Sequence, residues 1–231
     1  MGEIYEDSRL HNAALIFENR DDAGERLADF MKDTLEVPNP LVCAIPSGGV
    51  PVGLQIAGAL DAGFMLGVVR KVRIPWNPEA GFGAVTWDGR VFLNEPLVRG
   101  LSLSREDIET AVRESREDIR KRQIKFGGKR PLPVMEGSTI ILTDDGLASG
   151  YTMRAAIEAV RLENPGEIIA AVPTGSARAV FMIAGMVDCV VCLNIREGPS
   201  FAVADAYRHW HDLTDAEVLE YLDTARETGI F

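Results

Sequence analysis

Five short apolar runs rich in valine and isoleucine limit what this chain can fold into: 41–46 (LVCAIP), 64–70 (FMLGVVR), 139–144 (TIILTD), 167–173 (EIIAAVP) and 189–195 (CVVCLNI). None alternates polar with apolar residues as a half-wetted strand does, so each is expected to be a strand covered on both faces. Between them lie patterns of helical period: Ala23, Leu27, Phe30 and Met31, then 50–60, 104–126, 152–163 and 176–185. This alternation, in 231 residues that are 46% hydrophobic, predicts an α/β fold with one mainly parallel five-stranded sheet flanked by helices, in one domain spanning 1–231. Ser104 with Asp107 reads as a capping box for the long charged helix, whose Arg and Glu residues read as a solvated face.

Two regions break the alternation. Residues 71–96 contain Asp88-Gly89 between alternating residues, the signal of a two-residue hairpin, and read as an insertion. Residues 196–231 follow the last strand with mixed aromatic and polar residues, then a capped helix starting near Thr214 or Asp215. In an open parallel sheet the ligand sits beyond the carboxyl ends of the strands, so both regions are candidate lids.

Lys and Arg number 24 against 35 Asp and Glu, a net charge of −11, which argues against nucleic acid or an anionic membrane as the main partner. No apolar run approaches the roughly 20 residues of a membrane span, and the amino-terminal residues lack the pattern of a signal peptide, which leads to a cytoplasmic reading. Cys43 lies inside an apolar run. Cys189 and Cys192 form a CxxC that falls on a strand, where the spacing sends the side chains to opposite faces, so buried thiols are expected and not a zinc site. His11, His209 and His211 read as surface or capping residues.

The stretch TIILTDDGLASGYTMRAA (139–156) carries the chemistry. Asp144 and Asp145 fall at the carboxyl end of a strand, a turn of small and hydroxylated residues follows, and then a helix begins. Free loop N–H groups and the helix dipole converge there on a position suited to phosphate. Gly146 and Gly150 allow close backbone approach, and Ser149 and Thr152 add hydroxyls. The adjacent carboxylates would repel a phosphate. They make sense as acceptors for sugar hydroxyls or as ligands of Mg²⁺. As exposed like charges they are expected to contribute little to stability.

These residues resemble the phosphoribosyl-pyrophosphate (PRPP) signature of type I phosphoribosyltransferases. Two more segments match in order: IPSGGVPVG (45–53) resembles the pyrophosphate loop, and VVRKVRIPWNPEAGFGAV (68–85) resembles the Arg-Lys strand end and hood loop. The likeness is greatest to stand-alone microbial members and implies the type I fold with a hood. It also implies roles. Asp144 and Asp145 would hold the ribose hydroxyls and Mg²⁺, and Gly146, Leu147, Ala148, Ser149, Gly150, Tyr151 and Thr152 would cradle the 5-phosphate. Ser47, Gly48 and Gly49 would line the pyrophosphate, with Arg70 and Lys71 supplying positive charge. Thr143 and Gly146 depart from the usual aliphatic choices, and Ser47 stands where many relatives carry Arg or Lys.

The implied reaction transfers the ribose 5-phosphate of PRPP to a nitrogen nucleophile, a nucleobase, and releases pyrophosphate. The partners are then small molecules, and a homodimer is allowed. Ala148 stands where hypoxanthine-guanine enzymes carry Asp, which counts against a 6-oxopurine acceptor; adenine and orotate stay open. The alternative is a PRPP-binding regulator without turnover, although no basic helix accompanies the loop. The 72–86 loop is expected to be mobile from Pro75, Asn77, Pro78, Gly81 and Gly83. Trp76, Trp87 and Trp210 are expected around one site.

Overall fold

In the computed structural model, residues 1–127 and 133–231 are described, apart from the side chains of Pro78 and Glu79. The strands are β1 (Glu3–Tyr5), β2 (Pro40–Ala44), β3 (Gly63–Leu66), β4 (Arg70–Ile74), β5 (Asn77–Val85), β6 (Val91–Leu93), β7 (Thr139–Thr143), β8 (Glu167–Ser176) and β9 (Cys189–Arg196). The helices are α1 (Arg20–Thr34), α2 (Gly49–Leu60), α3 (Glu95–Gly100), α4 (Arg105–Gly127), α5 (Tyr151–Arg161), α6 (Ala177–Ala184) and α7 (Asp215–Glu227).

Six strands form the main sheet in the order β1-β9-β8-β7-β2-β3, every neighbouring pair parallel. The sheet has one strand more than the five apolar runs because β1 is a three-residue edge strand, too short to show a period. The run at 64–70 also divides. β3 ends at Leu66, and Arg70 opens β4 in a separate antiparallel sheet, β4-β5-β6.

Both faces of the main sheet are covered, as the unbroken apolar runs require. Leu142, Ile140, Ala170 and Cys192 point into one core with residues of α5, α6 and the small sheet, among them Val72, Phe82, Val85 and Trp87. Ile141, Ala171, Val191 and Cys189 point into the other, with α1, α2 and α7. Cys189 and Cys192 thus face opposite ways, and all three cysteines are free and buried. Each fully buried Ile or Leu side chain is worth about 1.5–3 kcal/mol of transfer free energy.

The ends of the helices follow local chemistry. Ser104 and Asp107 exchange hydrogen bonds at the start of α4, as a capping box does. Thr214 and Glu217 do the same at α7, and His211 Nε2 lies 2.6 Å from Glu217 Oε1. At the β5–β6 hairpin the loop differs from the expected two residues. Gly89 N–H donates to Thr86 O and Thr86 N–H to Arg90 O, which makes a three-residue loop of Trp87, Asp88 and Gly89. Gly89 takes a positive φ of 82°, and the Thr86 hydroxyl donates to Asp88 Oδ1 at 2.6 Å. Among the described residues no helix is long and apolar enough to cross a membrane.

Candidate active site

β2 and β7 are neighbours with Ala44 opposite Thr143, so the loops leaving their carboxyl ends start side by side, tied by Ile45 N–H donating to Thr143 O at 2.9 Å. The β2 loop carries Ser47, Gly48 and Gly49 and runs into α2; its Pro46–Ser47 peptide is cis. The β7 loop carries Asp144 and Asp145 and runs into α5. The two loops touch. A Cβ at Gly48 would collide with the Asp145 carboxylate, and one at Gly49 would meet Thr143 O at 2.7 Å.

Asp144 and Asp145 have different surroundings. Asp144 Oδ1 accepts from the Asp145 amide at 2.9 Å. Burial, then the neighbouring Asp145 charge, pushes the Asp144 carboxyl well above its ordinary value. Asp145 Oδ2 accepts from Arg20 Nε at 2.8 Å, and the Tyr207 hydroxyl donates to Asp145 O at 2.6 Å. Burial raises the Asp145 carboxyl too, and the Arg20 charge opposes that. The expectation that both carboxylates are exposed therefore fails, and Asp145 is not structurally idle. Its side chain is 14% exposed and Arg20's is 7%.

Arg20 is the residue that sequence reading missed. It opens α1, lies 3.9 Å over the Trp210 ring, and donates through Nη1 to His211 O at 3.0 Å. Tyr207 and Trp210 rings lie 5.1 Å apart. The segment after β9 is thus fastened to the strand-end carboxylate through one arginine.

Along 146–152, Leu147 is buried and already engaged: its amide donates to Thr174 O at 2.9 Å and its carbonyl accepts from Ser176 N–H at 2.9 Å. That bridge ties the loop to β8. The amides of Ala148, Ser149, Gly150, Tyr151 and Thr152 have no acceptor among the described residues, and no side chain caps α5. Gly150 turns the chain with φ 74°. Ser149 and Tyr151 are exposed beside these donors. Gly146 is packed under Val203, where a Cβ would collide.

Arg70 and Lys71 open β4. The Lys71 stem lies against Gly81, and Arg70 is half-buried with its Nε lacking any acceptor among the described residues. Burial, then the charge of Arg122, lowers the Arg70 guanidinium below its ordinary value. Arg122 comes from α4 and donates through Nη2 to Ser47 Oγ at 3.0 Å.

α4 also fastens the insertion. Ser115 Oγ donates to Lys71 O at 3.3 Å, Gln123 Nε2 to Trp87 O at 2.7 Å, and Arg116 to Gly89 O. The turn at its tip is exposed, with Trp76 62% exposed. The three tryptophans do not meet at one site: Trp87 is buried in the core beside Gly67, while Trp210 stacks on Arg20. The side chain of Pro78, one of the residues behind the expected mobility, lies outside the described residues.

No group of three or more His, Cys, Asp or Glu among the described residues could cage a metal. Two carboxylates at a strand end suit Mg²⁺ only in its usual manner, held by one or two carboxylates with water and substrate oxygens completing the shell.

Comparison with known proteins bears out the family and the fold. Residues 16–201 match the phosphoribosyl transferase domain. Two Mycobacterium tuberculosis proteins, from strains CDC 1551 and H37Rv and provisionally named phosphoribosyl transferases, are each 35% identical over 210 residues, which is 91% of this chain but 47% of their own length. The crystal structure of TT1426 from Thermus thermophilus is 32% identical, with a TM-score of 0.76 over 90% of this chain and 98% of that one. With its parallel sheet, small antiparallel sheet and family match over 16–201, the chain belongs to the phosphoribosyl transferase domain family.

Proposed function

We propose that the chain is a PRPP-dependent phosphoribosyltransferase that transfers ribose 5-phosphate to a nitrogen nucleophile, a nucleobase, and releases pyrophosphate. The observation that carries this reading is the row of unpartnered amides at 148–152 directly after two carboxylates on one strand end. Amides at a helix start suit a phosphate, and paired carboxylates suit the hydroxyls of a ribose.

In this reading the amides of 148–152 with Ser149 and Thr152 hold the 5-phosphate, and Asp144 and Asp145 hold the ribose hydroxyls. Ser47, Gly48 and Gly49 face the pyrophosphate, with Arg70 and Lys71 supplying charge. The C1–O bond to pyrophosphate breaks, the leaving group keeps the electron pair, and the base nitrogen forms the new C1–N bond. Mg²⁺, when bound at Asp144 and Asp145, supplies neutralisation of the leaving group's charge. The protein contributes positioning, donors already fixed in place, and exclusion of water by the hood at 71–96 and the segment at 196–231. Ala148 offers no carboxylate to take the base proton, which favours acceptors that do not need one there.

A panel of nucleobases with PRPP and Mg²⁺, scored by pyrophosphate release, tests the proposal. Release with one class of base is expected. PRPP binding with no release from any base would instead support a PRPP-binding regulator.

A further inference from the structure

We propose that Arg122, on the helix α4, is a pyrophosphate-binding residue that works with Arg70 across the Ser47 loop. This inference rests on the phosphoribosyltransferase reading and assigns it a residue outside the three segments that carry the family resemblance.

Three observations meet at this point. Arg122 is 16% exposed and turned inward; its Nη2 donates both to Ser47 Oγ and to Asp215 Oδ1, each at 3.0 Å. Both bonds use the same nitrogen, so Nη1 and Nε have no partner among the described residues. Arg70 makes no ion pair among those residues, and its buried Nε has no acceptor. Arg122 and Arg70 also repel each other, which is part of why the Arg70 guanidinium is lowered. In a chain of net charge −11, two guanidiniums kept together with idle donors call for an anion of more than one charge.

The surrounding charges fit a site that is balanced when empty. Asp118 and Asp215 offset the arginines, Arg73 adds to them, and Lys125 shares Asp215 at 2.7 Å. The Phe126 ring lies 5.2 Å from the Arg122 guanidinium carbon and supports it without using a donor. A diphosphate reaching the Ser47 loop would be met by a bidentate fork from Arg122 and by Arg70, the geometry that makes arginine selective for phosphate. Asp215 would then yield Arg122 to the ligand and remain paired with Lys125.

Calorimetric titration with magnesium pyrophosphate, and separately with ribose 5-phosphate, tests this. Arg122→Gln should weaken pyrophosphate binding by about tenfold or more, the loss of charge-assisted hydrogen bonds, and leave ribose 5-phosphate affinity unchanged because the hydrogen bonds of Arg122 among the described residues go to Ser47 and Asp215 and not to the 148–152 loop. Asp215→Asn should leave pyrophosphate binding equal or tighter, since it removes the competitor for Arg122. Unchanged pyrophosphate affinity in Arg122→Gln overturns the assignment. So does a parallel loss of both ligands, or an Asp215→Asn variant as weak as Arg122→Gln, since each would mean that the residue only braces α4 against α7. If Gln at 122 prevents folding, Arg122→Lys is read with the same two ligands and the same criteria. Wild-type protein that binds ribose 5-phosphate but not pyrophosphate overturns this inference alone; wild type that binds neither overturns the phosphoribosyltransferase reading with it.

Discussion

Arg20 Nε lies 2.8 Å from Asp145 Oδ2, a contact between residues 125 apart in the chain, and both side chains are largely buried. One of the two carboxylates proposed for substrate binding is therefore also a structural partner. Removing one member of a buried pair leaves the other charged and unpartnered. Asp145→Ala should cost about 3 kcal/mol in urea unfolding, near the lower end for broken buried pairs. A loss of about 1 kcal/mol or less, the worth of a surface pair, would show that water replaces the contact.

Asp144 should behave in the opposite way. Its native carboxyl is raised above the ordinary 3.8, so the folded state holds the proton more tightly than the unfolded chain does. The stability linked to Asp144 is then fully present below the unfolded value and is lost as pH rises through the raised native value. Asp144→Asn, a neutral mimic, should raise the melting temperature by a few degrees at neutral pH. The gain should shrink toward nothing as the pH approaches about 4. A gain that persists undiminished in acid would contradict the assigned cause. The same substitution should weaken PRPP binding.

Thr143 is wholly buried at the end of β7, and its hydroxyl has no hydrogen-bond partner among the described residues. Thr143→Val removes an unsatisfied polar atom at nearly constant shape. It should stabilise the fold by about 1 kcal/mol. A destabilised variant would reveal a partner for the hydroxyl, such as a buried water.

Trp76 is exposed at the hood tip, while Trp87 is fixed in the core. PRPP with Mg²⁺ should blue-shift the emission as the tip closes, and Trp76→Phe should remove most of that change. If the shift survives in Trp76→Phe, it comes from Trp210 and the tip does not close.

The fold was legible because runs such as TIILT do not alternate polar with apolar residues, the mark of a strand covered on both faces, and all five residues of that run are buried. β1 was not, since three residues carry no period and their pairing with β9 depends on chain 186 residues away, Glu3 lying opposite Cys189. In the candidate site, the Asp pair and the glycine turn could be seen because their neighbours in sequence are their neighbours in space. Arg20 and Arg122 could not, as their partners are distant. Arg122 did leave a trace: it stands three residues after Ile119 and four before Phe126, both buried, on the inner face of a helix that looks solvated from its composition. Leu147 shows the converse, since nothing local reveals that its amide is committed to Thr174.

The strand order also sets a timetable for synthesis. β1 is made before the other described strands, yet its partner among them is β9, at residues 189–191. While the chain emerges from a ribosome, β2, β3 and α2 can gather early, but β1 must wait unpaired until β9 has been made. Trp210, which stacks on Arg20, arrives later still. A nascent chain halted between residues 152 and 189 would carry the Asp144–Asp145 loop and yet lack the edge and the aromatic cover over Arg20. The candidate site is thus finished only after β9 and the Trp210 segment that follows it have been made.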